Sequence, residues 1–316
     1  MAKVVERFFG RIAVNPIPLV RKTALAPAIS YLAAEGVQVG RYLRSAGLSI
    51  SSPGDHETLI PLHQACSFLS TVARSEGIDD LGFRIAGHCG IESLGLFGRL
   101  IAQSLTLHDS IQTSIELISS YNSGQRIWLE YCGDQVCYRQ KCVGNLRQDR
   151  ITEVVHLGLA NALGNARCLR GVDWRPSRIE VASDPVDLSL YFPGLSDLPV
   201  SFNHKQTSMW ADRRELSAPL PAFDVVARPC AQGRDRAAYV KSGPASGFSG
   251  QLEQAIESVL GRPDLDLSFT AAIIGMSART LQRRLAEHAL PFSRLLQRVR
   301  FLNAQRLLSD ARMRVG

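Results

Sequence analysis

Two short amphipathic segments, joined by a turn that contains one glycine, place the strongest constraint on how this 316-residue chain can fold. In the first segment, apolar and small side chains recur at the spacing of one helical face: Leu267, Thr270, Ala271 and Ile274. Asp266 stands before them as a residue type that caps helix N-termini. Gly275 follows the periodic stretch and can adopt the left-handed conformation that ends a helix. The pattern predicts a short, bounded helix and then a tight turn.

Ser277 is a good N-cap for a second helix that extends to about Glu287. Leu281 and Leu285 lie four residues apart and should face inward. The outward side then carries three polar side chains: Arg279, Gln282 and Arg283. Arginine can bond to guanine and glutamine to adenine in the major groove, and two helices joined by a short turn that contains glycine make a helix-turn-helix. An ordinary helix pair would show the same glycine and leucine spacing, but it would not need this polar face.

The charge of the chain is concentrated in the same region. Residues 277–316 contain nine arginines and only two acids, so they hold the whole formal net charge of +7. Contact between such a segment and the phosphates of a nucleic acid releases counterions, and this gives affinity for nucleic acid of any base sequence. A solvated helix face would carry the same charge, so the charge supports the helix-turn-helix without proving it. The sequence predicts DNA contacts from eight residues: Ser277, Arg279, Thr280, Gln282, Arg283, Arg284, Arg294 and Arg298. Of these, Thr280 and Arg284 lie to the side and suit phosphates.

A third and longer helix is predicted from Pro291 to about Ser309. Together the three segments resemble the first half of an AraC/XylS-type DNA-binding domain. The matching motifs are Ala271, Gly275-Met276-Ser277, Arg279 to Leu285, Pro291-Phe292-Ser293, Val299-Arg300 and Ala304 to Leu308. The resemblance implies a helix-turn-helix, a long linker helix and a second helix-turn-helix. The sequence ends at Gly316, about where that second unit would begin, so we expect only the first half of the domain.

Motifs in the first 220 residues resemble the sensor domain that precedes AraC-type DNA-binding domains in the ornithine-regulator-like branch. They include Leu81-Gly-Phe-Arg-Ile-Ala-Gly87, Gly95-Leu-Phe-Gly98 and Tyr191-Phe-Pro-Gly194. The name arabinose-binding is attached to that domain type but identifies no ligand. The resemblance implies an α+β sensor and dimerisation domain over 1–220, a linker over 221–247, and an all-α helix-turn-helix domain over 248–316.

Periodicity predicts the elements of the chain ahead of the helix-turn-helix. Helices are expected at about 25–35, 39–46, 61–76, 107–121 and 149–168. A hairpin is expected at 126–132 and 136–142, and further strands are expected at about 178–182 and 200–203. The stretch 219–250 is rich in Pro, Gly, Ser and Ala and reads as a hinge. It would hold a connecting helix at about 224–239, and a helix at about 248–260 should buttress the helix-turn-helix.

The seven cysteines form no C-x-x-C pair, which argues against a disulfide framework and a zinc ribbon. Cys132, Cys137 and Cys142 lie five residues apart on the predicted hairpin. Strand alternation puts Cys137 and Cys142 on opposite faces, which is poor geometry for one metal ion or one redox pair. Redox or metal sensing stays open beside the simpler interpretation of buried, small apolar side chains. We expect no metal and no cofactor.

The residues give no convergent catalytic set. The histidines are scattered along the chain: His63, His88, His108, His156 and His204. No G-x-S-x-G, H-E-x-x-H or phosphate-binding glycine loop appears. His88 stands next to Cys89, but adjacent residues on a loop seldom face each other. We therefore expect that the protein is not an enzyme.

The sequence thus predicts a ligand-responsive transcription regulator, in which a small metabolite bound by the N-terminal domain controls contact with promoter DNA. The expected partners are double-stranded promoter DNA, a small-molecule effector and a second copy of the chain, with RNA polymerase as a further candidate. No stretch approaches the roughly 20 apolar residues of a membrane span, and the N-terminus lacks the core of a signal peptide. A cytoplasmic protein is expected.

Two matters stay open in the sequence. The ligand pocket is unassigned, because Trp128, Tyr138 and Trp210 would either line a cavity or fill the core. The alternative function is that of a shortened small-molecule-binding or interaction module, which binds DNA weakly and acts through a partner.

Overall fold

The computed structural model describes residues 17–48, 57–144, 148–218 and 232–309. The helices are α1 (Ala26–Ala34), α2 (Val39–Ser45), α3 (Leu62–Glu76), α4 (Leu81–His88), α5 (Gly95–Ala102), α6 (Leu107–Tyr121), α7 (Gln148–Arg170), α8 (Arg213–Ser217), α9 (Gln232–Lys241), α10 (Phe248–Glu257), α11 (Leu267–Ile273), α12 (Ala278–Glu287) and α13 (Phe292–Ser309). The strands are β1 (Leu19–Arg21), β2 (Leu59–Pro61), β3 (Gln125–Cys132), β4 (Gln135–Cys142), β5 (Arg178–Glu180), β6 (Val200–Ser201) and β7 (Thr207–Asp212). An α+β region therefore precedes an all-helical one, as the sequence predicts.

A five-stranded sheet, in the order β3-β4-β7-β5-β6, organises the N-terminal region. Its pairs are antiparallel except β5 with β6. Because side chains alternate along a strand, the directly paired Tyr138 and Met209 share one face, and Cys137 and Trp210 share the other. The first face joins a large buried cluster with α5, α6 and α7. One layer of helices thus covers one face of the sheet.

A second cluster of buried side chains joins α1 to α4 with the start of α7. Helices α4 and α7 approach closely at Gly82, where a Cβ atom would come within 2.3 Å of the Glu153 carbonyl oxygen. The Gly82 amide donates to Glu153 Oε2 at 2.8 Å. Burial raises the pKa of Glu153 to about 7, although that bond opposes the shift. Burial also lowers the pKa of the neighbouring His156 to about 4, so a neutral pair is favoured inside this contact.

The two-stranded ribbon of β1 and β2 joins the N-terminal region to the helices of the C-terminal region. Leu19 and Leu59 lie fully or almost fully buried in one cluster with side chains of α10, α11, α12 and α13. The Ile17 amide donates to Gln251 Oε1 on α10 at 2.8 Å, across 234 residues of sequence. The predicted domain over 248–316 therefore does not bury its core alone, because the ribbon supplies part of that core.

Most long elements lie close to their predicted positions, and the short ones differ. The predicted helix at 61–76 begins at Leu62, because Pro61 ends β2. The predicted strands at 178–182 and 200–203 shorten to β5 and β6, and β7 was not predicted. The predicted linker holds α9. Residues 219–231, which include Cys230, and residues 310–316 lie outside the described part. No helix in the described ranges is long and apolar enough to cross a bilayer.

The contact at Gly82 can be tested with two substitutions in one helix. Gly82→Ala should lower the free energy of unfolding by about 1–3 kcal/mol, because the new methyl group overlaps the backbone of α7. Gly87→Ala is the matched control, since no atom lies within 4 Å of its Cβ position, and it should be neutral or stabilising by up to about 1 kcal/mol. Urea unfolding measures both, and an equal effect of the two changes would contradict the packing.

The raised pKa of Glu153 predicts a pH dependence of stability. The pKa of Glu153 in the folded state, about 7, exceeds the ordinary value of 4.5. Its contribution to the free energy of unfolding is therefore complete below pH about 4.5 and is lost as the pH rises through about 7. His156 has the opposite pH dependence, because its pKa is lowered. Its contribution to the free energy of unfolding is complete above pH about 6.5 and is lost as the pH falls towards about 4.

Glu153→Gln keeps the acceptor for Gly82 but cannot ionise. The free energy of unfolding of this variant, relative to the wild type, should rise by about 1–3 kcal/mol from pH about 5 to about 8. Urea unfolding at the two pH values gives this difference. Glu92→Gln, at an exposed position, serves as the control, and a difference that stays constant with pH would refute the assignment.

Candidate nucleic-acid interface and interior cavity

The ends of α11 and α12 are fixed by side-chain caps at the predicted residues. Asp266 Oδ1 accepts from the Phe269 amide at 2.7 Å, and Ser277 Oγ accepts from the Thr280 amide at 3.1 Å. Between the helices Gly275 has φ of +72°, a conformation that favours glycine. Ala271 is buried where the helices cross. The predicted helix-turn-helix geometry is therefore present.

Helix α12 separates an apolar face from a polar one. Leu281 and Leu285 are buried, whereas three polar side chains are exposed as predicted: Arg279, Gln282 and Arg283. Arg283 Nε lies 3.9 Å from Glu287 Oε1, and both side chains are more than half exposed. Such a pair contributes little, so Arg283 can exchange it for another anion. The polar face of α12 is free to meet a ligand.

Two predicted DNA-contact residues, Arg284 and Arg298, also contact α10, but only Arg284 is buried. Arg284 is 93 % buried, with its Cζ 4.0 Å from the centre of the Phe248 ring. Burial lowers the pKa of this guanidinium. Arg298 Nη1 lies 3.3 Å from Glu253 Oε1 of α10. Arg284 therefore helps to hold α12 on α10, whereas Arg298 is exposed and can exchange its pair for another anion, as Arg283 can.

The remaining predicted residues lie near the turn and the start of α13. Ser277 and Arg294 are exposed and Thr280 is partly exposed. The Ser277 and Thr280 hydroxyls lie 2.8 Å apart. These side chains flank the exposed trio at the N-terminal ends of their helices, where amides and the helix dipole favour anions.

An interior cavity of about 80 Å³ lies between the sheet and its helical cover. Its walls are mostly apolar and include Phe97, Ile111, Ile127, Tyr138 and Met209. Of the three aromatic residues left open by the sequence, Tyr138 lines the cavity, whereas Trp128 and Trp210 are absent from its walls. Sequence reasoning missed most of the lining, because the residues come from four helices and three strands that only the fold brings together.

A polar group lies at the point where α6 meets the linker. Arg21 on β1 is 99 % buried. Its Nε donates to the Ser120 carbonyl of α6 at 2.8 Å, and its Nη2 donates to the Tyr239 carbonyl of α9 at 2.8 Å and to Ser242 Oγ at 3.0 Å. Its Nη1 lies 3.0 Å from Glu57 Oε2. We call these residues, Arg21, Glu57, Ser120, Tyr239 and Ser242, the Arg21 cluster.

The Arg21 cluster adjoins the cavity through Tyr121, the residue after Ser120. Tyr121 lines the cavity and stacks on Phe97 at 4.5 Å between ring centres. It also shares a buried cluster with Tyr239. The end of α6 is thus one wall of the cavity and one partner of the linker.

A second contact joins the helix-turn-helix to the N-terminal region. A Cβ atom on Gly275 would lie 2.7 Å from His63 Nδ1, and one on Gly47 would lie 3.2 Å from Phe269 Cζ on α11. The backbone of each region therefore comes close to a side chain of the other.

The cysteines and acids add no second centre in the described ranges. Six cysteines there are free, among them Cys132, Cys137 and Cys142. Burial raises the pKa of Cys137 and of Cys142 to about 11, so these thiols are poor nucleophiles. No three His, Cys, Asp or Glu side chains in that part of the chain come together as a metal site requires.

The Arg21 cluster predicts a local loss of stability. Arg21→Met should lower the free energy of unfolding by about 2–4 kcal/mol, because it leaves buried carbonyl oxygens without donors. Arg41→Met removes the exposed pair with Glu76, whose atoms lie 2.7 Å apart, and should lower the free energy of unfolding far less, because solvent screens the pair. Urea unfolding compares the two variants, and similar losses would contradict a structural role of Arg21.

Comparison with known proteins places this geometry in a family. None of the curated proteins compared matches the chain. A solved structure, described as the transcriptional regulator CdpR from Pseudomonas aeruginosa, is similar with a TM-score of 0.48 and 18% sequence identity, and the match covers 92% of this chain and 87% of that chain. Likeness of this degree leaves the function to be argued from the residues of this chain.

Residues 36–220, more than half of the chain, match the family described as the arabinose-binding domain of AraC transcription regulator, N-term. The match covers α2 to α8 and therefore includes the whole five-stranded sheet and the whole cavity wall. The family is one of transcription regulators and not of enzymes. The chain belongs to the AraC-type transcription regulators that carry this N-terminal domain.

Proposed function

We propose that the protein binds promoter DNA through α12 and that a small molecule in the interior cavity controls this binding. The single observation that carries the proposal is the exposed polar face of α12, formed by Arg279, Gln282 and Arg283 on a capped two-helix unit. The excess positive charge of residues 277–316 supports it, because phosphates attract this segment before any base is read.

The exposed residues divide into two roles. Arg279, Gln282 and Arg283 would meet base edges, since their functional groups match the donors and acceptors of the major groove. Ser277, Thr280 and Arg294 would meet phosphates beside them. Arg298, whose side chain is exposed, would join this phosphate set. We leave Arg284 out, because it is buried against Phe248.

The route from cavity to DNA would pass through the Arg21 cluster. A ligand that moves Tyr121 would also move the carbonyl of Ser120, because the two residues are adjacent in the chain. This carbonyl accepts a hydrogen bond from Arg21. The same guanidinium holds the Tyr239 carbonyl of the linker helix, and the ribbon that carries Arg21 forms part of the core around α10. The ligand shifts DNA binding only if its affinity differs between the two arrangements.

The domain division belongs to the proposal as well. Residues 1–220 would sense the ligand and form a dimer, and residues 248–316 would contact DNA in the cytoplasm. Two copies would place two α12 helices on successive half-sites, and contact with RNA polymerase at the promoter would follow from that position.

The trio on α12 provides the direct test. Arg283→Ala should weaken binding to the specific promoter by about 1–3 kcal/mol, because a base contact is lost. Gel-shift titration of the promoter measures the loss. Arg175→Ala is the matched control, since it removes the same charge from an exposed position in the N-terminal region. If Arg283→Ala binds the promoter with unchanged affinity, the assignment of Arg283 as a base-contact residue is wrong.

A further inference from the structure

The interior cavity is uncharged. Its wall includes no Asp, Glu, Lys, Arg or His. The polar side chains on it are neutral, among them Ser114, Gln125, Asn161 and Asn165. Burial of a charged ligand against such a wall would be costly, because no opposite charge would compensate it. The wall therefore selects against zwitterions and carboxylates.

Two residues of the wall each carry a buried polar atom that has no hydrogen-bond partner among the described residues. One is the indole nitrogen of Trp174, a side chain that is 91 % buried. The other is Asn165 Oδ1; the amide nitrogen of the same side chain donates to Ser110 Oγ at 2.8 Å and is thereby satisfied. Buried polar groups are almost always paired in folded proteins. An unpartnered donor and an unpartnered acceptor, carried by two residues of the same cavity wall, together match the bonding capacity of one hydroxyl group.

The size of the cavity limits the ligand further. Its volume of about 80 Å³ is well below the roughly 300 Å³ at which typical ligand pockets begin. It admits one small ring or a short chain. A pentose would bring several hydroxyl groups against a mostly apolar wall, and each hydroxyl left unpaired there would oppose binding.

From these observations we propose that the effector is a small, uncharged and mainly apolar molecule with one hydroxyl group, held by Trp174 and Asn165. A simple alcohol or phenol has this chemistry, whereas a sugar or an amino acid does not. The proposal rests on the proposed function in one respect, since it takes the cavity as the effector site.

Isothermal titration calorimetry with phenol as the probe tests this ligand class in the full chain. Phenol should bind with one site per chain, and L-arabinose and L-ornithine should give no heat at the same concentrations. Trp174→Phe removes the free donor and should weaken phenol binding about tenfold. Trp210→Phe is the matched control, because Trp210 also has a buried, unpartnered indole nitrogen but does not line the cavity. It should leave the affinity unchanged.

A second variant locates the site. Ala162 lines the cavity, and Ala162→Phe should fill it and abolish phenol binding. Thermal unfolding of each variant establishes that it is folded. No phenol binding into the millimolar range, equal effects of the two tryptophan variants, or binding of L-arabinose or L-ornithine that Ala162→Phe removes would each overturn the proposal. Calorimetry uses no DNA, so the ligand class and promoter binding are tested separately. A result that overturns the ligand class would not affect promoter binding, and a failure of promoter binding would not affect the ligand class.

Discussion

The buried guanidinium of Arg21 is the interaction on which the arrangement of the two regions depends. It satisfies a carbonyl at the end of α6, a carbonyl and a hydroxyl of the linker, and the carboxylate of Glu57. Arginine suits this position because its planar fork of donors serves several acceptors at once. A buried cation without these partners would be very unfavourable, so the sensor, ribbon and linker must assemble together around it. The same cluster adjoins the cavity at Tyr121, so in the proposed function this is where a ligand would act on the linker.

The helix-turn-helix is shaped by a different set of forces. Two caps and the turn at Gly275 fix its local geometry, while Leu281, Leu285 and the stem of Arg284 hold α12 against its neighbours. The unit therefore presents its polar face on a rigid support. Because α11 packs on Gly47 and the turn at Gly275 packs on His63 of the N-terminal region, the orientation of the unit is set by the sensor and not by the C-terminal helices alone. A rigid polar face whose orientation depends on the sensor is the combination that a regulated DNA contact requires.

The sequence predicted the features that local chemistry determines. Asp266, Gly275 and Ser277 mark helix ends by their own side chains and conformations, and the structure places them as caps and turn. The long helices and the hairpin follow from periodicity for the same reason. Three-residue strands such as β1 and β2 are too short for a period to show, and their role depends on partners far away in the chain. The burial of Arg284 could not be foreseen either, since its partner Phe248 lies on another helix. The cavity and the Arg21 cluster are products of tertiary contacts, so no local pattern announces them.

The central claim is that this chain recognises specific DNA through α12. Fluorescence anisotropy of the chain, with its own upstream promoter and with a scrambled duplex over a salt series, tests it most directly. The account predicts a preference for the promoter of about a hundredfold or more and a steep loss of affinity with salt. Equal and weak binding to both duplexes would contradict it and would favour the alternative of a module that acts through a partner.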